Sequence, residues 1–342
     1  MKKAISVILT ALIAFSCLSI SFAQEDKQAG FGDYEHVFII GIDGLGAALT
    51  KVDSPNFDRI FKDNAYRHDA KTEYITTSGQ NWGSILTGVD YETHGFNNSN
   101  TDTSQPKRVS DSPNNSIFYY VRKAFPDAKL SAFTHWLNIE HGIIESDIGV
   151  KKVNRWSDPM VEDAIVNYFQ MGNAPKLMFV QLDDVDHAAH TYGGFSDEYY
   201  EAAKTADTRL GNIYDAIEAK GLMKDSLFIL VADHGETDNG HGGQTKEESS
   251  AVLAVAGHSV NAVELNEEAC NRDVAAIALY ALGIYIPEHF TATVPDELFG
   301  ESREKTVEPN PIDTSEKIKH DLLYIFIRFA NLIVGMFDFI EL

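Results

Sequence analysis

The sequence predicts an α/β fold, a three-layer sandwich with a largely parallel central sheet and helices on both faces. Three observations carry that expectation. Short apolar, β-branched runs alternate with amphipathic ones, the pattern of strands joined by crossover helices. The apolar runs are continuous and closed by Gly or acids, as buried parallel strands are. Three of them end in carboxylates: at Asp43, at Asp183, Asp184 and Asp186, and at Asp233. Open α/β sheets bind ligands beyond the carboxyl ends of their strands. One or two such endings are ordinary turn chemistry; three indicate one shared site.

Taken in order, "HVFIIGIDG" (36–44) reads as a first buried strand. "SPNFDRIFKDN" follows as a helix, with Ser54 at the cap and Pro55 at its first position. "NWGSILTG" reads as helix, and 97–116, rich in Asn, Ser, Asp and Thr, as loop. "SIFYYVRKAF" and "DPMVEDAIVNYFQ" are helical, and "KLSAFTHW" and "KLMFVQLDD" are strands. "DEYYEAAKTADTRLGNIYDAIEAKG" is a long amphipathic helix stopped at Gly221. "SLFILVAD" and "AVLAVAG" are strands again, and "RDVAAIALYALG" is a helix.

Bulk properties bound the rest. A chain of 342 residues with 44% hydrophobic composition can bury one large core or two domains. Lys2 and Lys3 precede a long apolar run ending in small residues, the order of a secretory signal with cleavage after Ala23. A lipoprotein site at Cys17 and an uncleaved anchor are the second and third readings. Cleavage removes two lysines and no acid, taking the formal net charge from −23 to −25. Such a surface repels nucleic-acid duplexes and anionic membranes. An anionic substrate then needs strong local positive charge, which a metal supplies. The mature chain would retain Cys270 alone, so it forms no internal disulfide, which suits a bacterial envelope or secreted setting. Residues 24–300 are expected to form the working domain and 301–316 a polar linker. Residues 317–342 read as an amphipathic helix, suited to peripheral contact with a membrane or a partner protein.

The chemistry concentrates at the strand ends. Asp186 and His190, at i and i+4, share one face of a helical turn, a carboxylate–imidazole pair of zinc type. Asp233 and His234 form a second such pair, His241 follows seven residues on, and Asp43 closes the first strand. A lone His is more often a satisfied polar residue than a ligand, but six Asp and His residues at strand ends of an α/β pattern are not easily independent. Two clusters of this kind suit two zinc ions about 4 Å apart, clamping an in-line displacement at phosphorus. Thr76, Thr77 and Ser78, before an expected helix start, are candidate nucleophiles, because a helix N-terminus favours an anion.

The blocks "GIDGLG", "TTSGQNWGSILTGVDYETHGF", "DDVDHAAHTYGG" and "ADHGETDNGHGGQT", in that order, resemble the alkaline phosphatase superfamily. The likeness is greatest to its type I phosphodiesterase/nucleotide pyrophosphatase branch and compact secreted bacterial relatives, and spans about residues 35 to 290. The resemblance implies that Asp43, Asp233 and His234 hold one zinc, which also touches the nucleophile, and that Asp186, His190 and His241 hold the other. It places Ser78 as the nucleophile, with Thr77 as runner-up, and Asn81 as donor to a non-bridging phosphate oxygen. His258 is the reserve for His241. Gly79-Gln80 departs from the family's usual small residue plus proline.

The implied activity is zinc-dependent hydrolysis of a small anionic phosphoester, a phosphodiester or nucleotide pyrophosphate, through a phosphoseryl intermediate. A phosphomonoesterase or phospho-group transferase of the same superfamily is the alternative, and a non-catalytic metal-bound surface protein the second. The segment 78–82 lacks the Pro and Arg that a sulfatase needs after its modified residue, which disfavours that branch.

Overall fold

The computed structural model describes residues 29–111 and 114–300. The expected signal segment, linker and C-terminal helix lie outside those residues. The described chain builds one eight-stranded sheet in the order β4-β3-β5-β1-β6-β7-β2-β8. The strands are β1 (His36–Ile42), β2 (Ala65–Lys71), β3 (Leu130–Thr134), β4 (Lys151–Asn154), β5 (Leu177–Leu182), β6 (Ser226–Val231), β7 (Ser250–Ala256) and β8 (Val263–Glu264). From β4 through β6 every pairing is parallel, whereas β6–β7 and β7–β2 are antiparallel.

The helices that matter to the site are α1 (Pro55–Phe61), α2 (Ser78–Thr87), α3 (Tyr91–His94), α4 (Ile117–Ala124), α5 (Asp158–Gln170), α6 (Asp184–Tyr192), α7 (Asp197–Glu218) and α8 (Asp273–Ala281). Strand side chains alternate between faces, and the core divides accordingly. Val37 and Ile39 of β1, Leu177 and Phe179 of β5, and Leu227 and Ile229 of β6 pack with α2, α4 and α8. Phe38 and Ile40, Met178 and Val180, and Phe228 and Leu230 pack with α1, α5 and α7. Both faces are covered, so the interiors of the central strands are apolar except at Gln181 of β5, whose amide donates to Asp43. This is the expected three-layer sandwich.

Three strands escape the sequence pattern, β8 because it is only two residues long. β2 (AYRHDAK) and β4 (KKVN) are mostly half-buried. β4 is an edge strand, and β2 is covered on its outer side by only the two residues of β8. Their side chains are too polar to announce a buried strand.

Candidate metal centre

β1 and β6 are parallel neighbours, with Gly41 opposite Val231, so the residues that follow them emerge side by side. Asp43 is 1% exposed, and Asp233 and His234 are fully buried. His234 Nε2 lies 3.5 Å from Asp43 Oδ1 and 3.2 Å from Asp233 Oδ2. Each carboxylate is pinned by its other oxygen. Asp43 Oδ2 accepts from Trp82 Nε1 at 2.8 Å and from Gln181 Nε2 at 3.0 Å. Asp233 Oδ1 accepts from the Gly44 N–H at 3.1 Å and the His234 N–H at 2.9 Å. The indole reaches Asp43 because residue 41 is glycine; a Cβ there would lie 2.4 Å from Trp82.

The outer half of the centre sits on α6 and on the loop after β6. His190 Nε2 is 3.5 Å from Asp186 Oδ2 and 3.1 Å from His241 Nε2, which is 3.5 Å from Asp186 Oδ1. His241 Nδ1 donates to the Thr76 carbonyl at 2.6 Å, which leaves the Nε2 lone pair of the neutral ring facing Asp186 and His190. The His241 ring stacks on His234, centroids 3.7 Å apart, and so joins the two halves. His190 is the most open member, its side chain 53% exposed.

Glu236 joins this group, and the sequence reading missed it. It is 2% exposed, and it offers a ligand atom within 4.8 Å of those of Asp186, His234 and His241. Its only signal in the sequence is an acid two residues after His234, which looks like any turn residue.

Electrostatics describe a centre short of positive charge. Burial, then Asp233 and Asp186, pushes the Asp43 carboxyl well above its usual range, and burial does the same to Asp233. Burial and Asp186 push Glu236 up to about 10. Burial, then His241, holds His234 well below an ordinary imidazole. Asp43 Oδ1, Asp233 Oδ2, Asp186 Oδ1 and both Glu236 oxygens are buried without a hydrogen-bond donor. Buried carboxylates in that state need a cation. Imidazoles among the donors suit zinc over calcium or magnesium, so the residues present fit a metal.

Ser78 opens α2, and its Oγ lies 3.3 Å from His234 Nε2. The other two hydroxyls are engaged elsewhere. Thr77 Oγ1 donates to Gln80 Oε1, and Thr76 Oγ1 donates to the Gly243 carbonyl at 3.0 Å. Of the three, the Ser78 hydroxyl is the one that faces the centre.

Asn81 does not stand where a phosphate donor must. It is fully buried, its Nδ2 donates to the carbonyls of Ile75 (3.2 Å) and Thr77 (3.1 Å), and its Oδ1 accepts from Glu73 N (2.9 Å) and Asn271 Nδ2 (3.0 Å). All its hydrogen-bonding capacity is spent inside the fold, where it braces the loop that leads into Ser78. The exposed Asn98, in the segment read only as loop, lies beside the start of α2: its Oδ1 accepts from the Gly79 N–H at 2.7 Å. The approach requires glycine at 79, since a Cβ there would lie 2.5 Å from the Asn97–Asn98 backbone.

His258 lies away from the centre, its Nε2 bonded to the Asp33 carbonyl at 3.1 Å and its ring against Tyr34. A third group, His135, Asp158 and Asp184, could also hold an ion by spacing. Its hydrogen bonds, however, are already made: Asp158 accepts from the N–H groups of Asp183 (2.8 Å) and Asp184 (2.9 Å) and pairs with His135 Nδ1 at 2.9 Å. It anchors the start of α6, which carries Asp186 and His190.

A family profile described as type I phosphodiesterase / nucleotide pyrophosphatase matches residues 37–325. Bis(5'-adenosyl)-triphosphatase ENPP4 of Homo sapiens is 25% identical over 243 residues, covering 67% of this chain and 53% of that protein. The chain thus spans about half the length of the curated relatives it matches. Among solved structures, murine ectonucleotide pyrophosphatase / phosphodiesterase 5 superposes with a TM-score of 0.61 at 14% identity, covering 77% of this chain and all of that one. The lipoteichoic acid synthase LtaP of Listeria monocytogenes superposes at 0.58 with 15% identity, covering 79% and 78% of the two chains. These likenesses are of fold, and the fold is alkaline phosphatase-like.

Proposed function

Because the chain belongs to the type I phosphodiesterase / nucleotide pyrophosphatase family, we propose that it hydrolyses phosphoric esters, diesters or pyrophosphates before monoesters, by way of a phosphoseryl intermediate. One observation carries this reading: Ser78 Oγ, first residue of a helix, stands 3.3 Å from a histidine ringed by donorless carboxylates. Asp43, Asp233 and His234 would hold one zinc ion, and Asp186, His190 and His241 the other. When bound, the pair supplies Lewis-acid stabilisation of phosphoryl charge and of the attacking and leaving oxygens.

The chain's own groups do the rest. The N-terminus of α2 presents its dipole to the phosphoryl group. Ser78 Oγ, its proton released to solvent, attacks phosphorus, the ester P–O bond breaks, and the leaving oxygen departs on the far side, taking a proton from water as an alcohol or phosphate. Water then cleaves the seryl ester and returns the proton to Oγ. Asn98, held through Oδ1 by Gly79, offers its Nδ2 to a non-bridging oxygen, the role the sequence reading gave to Asn81. The preference for diesters rests on charge. Arg272, beside the nucleophile loop, is bound to Glu73 at 2.8 Å, so it is not available to a second phosphate charge.

The test is hydrolysis of an aryl phosphodiester, an aryl phosphate and an aryl sulfate by zinc-loaded protein. Diester turnover should lead and sulfate turnover be absent; no turnover of either phosphate ester would overturn the reading. Metal analysis of protein purified without chelator should find about two zinc equivalents. Export, by the Lys-led apolar segment at the N-terminus, belongs to the same proposal and is checked by the mature N-terminal residue.

A further inference from the structure

The six expected ligands leave Glu236 unexplained. We propose that Glu236 is a further metal ligand, its carboxylate joining Asp186 and His241 at the outer cation position. The inference rests on the reading that the centre holds metal.

The side chain of Glu236 is completely buried, and neither carboxylate oxygen receives a hydrogen bond. The imidazole nearest to it is that of His234, whose Nδ1 lies 3.7 Å from Oε1, too far for a hydrogen bond. A carboxylate in that condition is strongly unfavourable unless a cation completes it. The backbone nevertheless makes room for it. A Cβ on Gly44 would come within 3.0 Å of Oε1, and one on Gly194 within 2.6 Å of the Glu236 Cβ.

Position decides which cation it serves. The inner ligands Asp43 and Asp233 face Nε2 of His234, and Glu236 faces the opposite edge of that ring at Nδ1. Its ligand atom groups with those of Asp186 and His241 within 4.8 Å, a spread that one ion can span.

The experiment compares metal-stripped and zinc-titrated full-length protein with its Glu236→Gln variant, by calorimetric titration and thermal melts. Metal-stripped E236Q should melt close to the metal-stripped wild type, because the amide matches the carboxyl in shape and no cation is present in either. Zinc affinity at one of the two positions should fall about tenfold or more, and the zinc-induced rise in Tm should shrink. Asp43→Asn serves as the control that loses the inner position. Equal zinc affinities and equal Tm shifts in E236Q and wild type overturn the proposal; a wild type that takes up no zinc overturns the metal reading beneath it. Should E236Q not fold, Glu236→Asp keeps the charge but shortens the reach: weakened zinc binding supports the assignment, and unchanged binding refutes it.

Discussion

The two halves of the centre are built to different standards. The inner half, Asp43, Asp233 and His234, is sealed, and each carboxylate is clamped through one oxygen by two N–H donors. It grows directly out of adjacent strands of the sheet. The outer half rests on one helical turn and a glycine-rich loop, and its His190 is half open to solvent. His241 is tied to it by a single backbone carbonyl. The inner half is therefore the more firmly held of the two, and the outer half the more open to solvent. The contrast teaches that exchange, inhibition by chelators and tuning by mutation should all enter through the outer position.

The largest expected effect falls on the inner side. Ser78→Ala should lower turnover by several decades with the melting curve intact, since a small hydroxyl contributes little to stability. Near-normal turnover in Ser78→Ala with a dead Thr77→Ala would move the nucleophile by one residue.

Next come the two asparagines, which should fail in different ways. Asn98→Ala should lower kcat by roughly 10²- to 10³-fold, the usual cost of one donor to a developing oxyanion. Asn81→Ala should instead destabilise the fold by about 1–3 kcal/mol, because it strands buried partners of its amide. Steady-state kinetics beside denaturant melts separates the two; the reverse assignment follows if Asn81→Ala folds normally and loses kcat.

Below these lies the clamp on Asp43. Trp82→Phe removes one donor and should weaken zinc at the inner position by about 10- to 100-fold, leaving the outer position untouched. Equal weakening of both would mean that the halves are not independent.

The smallest effect belongs to the anchor of α6. The hydrogen bond that His135 Nδ1 donates to Asp158 raises the His135 pKa above its ordinary value. Its contribution is then complete below the unfolded-state value of about 6.5 and is lost as pH rises through the higher folded value. Melts of metal-stripped wild type and His135→Asn should differ at about pH 6 and converge by about pH 8. A difference that grows with pH would contradict the pairing.

Much of this was legible in the residues. A strand covered on both faces is apolar over most of its length, so β1, β5, β6 and β7 announce themselves, and acids following such strands mark a site. Strand direction leaves no such trace: "AVLAVAG" reads alike whether β7 runs with β6 or against it. Asn81 illustrates another limit. Its spacing from Ser78 does not say that the amide curls back to the carbonyls of Ile75 and Thr77. Asn98 was hidden because a polar loop gives no sign that one amide caps the Gly79 N–H, and Glu236 because turn acids are common.

β1 is the first strand in the chain and yet lies in the middle of the sheet, between β5 and β6. Its second partner begins at Ser226, roughly 190 residues downstream. At elongation rates of about 5–20 residues per second, the segment HVFIIGI waits roughly ten to forty seconds for that neighbour. Through that interval it is an apolar strand with a bare edge, the kind that pairs with the wrong chain. Folding dominated by such distant pairings is slow, so the yield of this protein on refolding should depend steeply on its concentration.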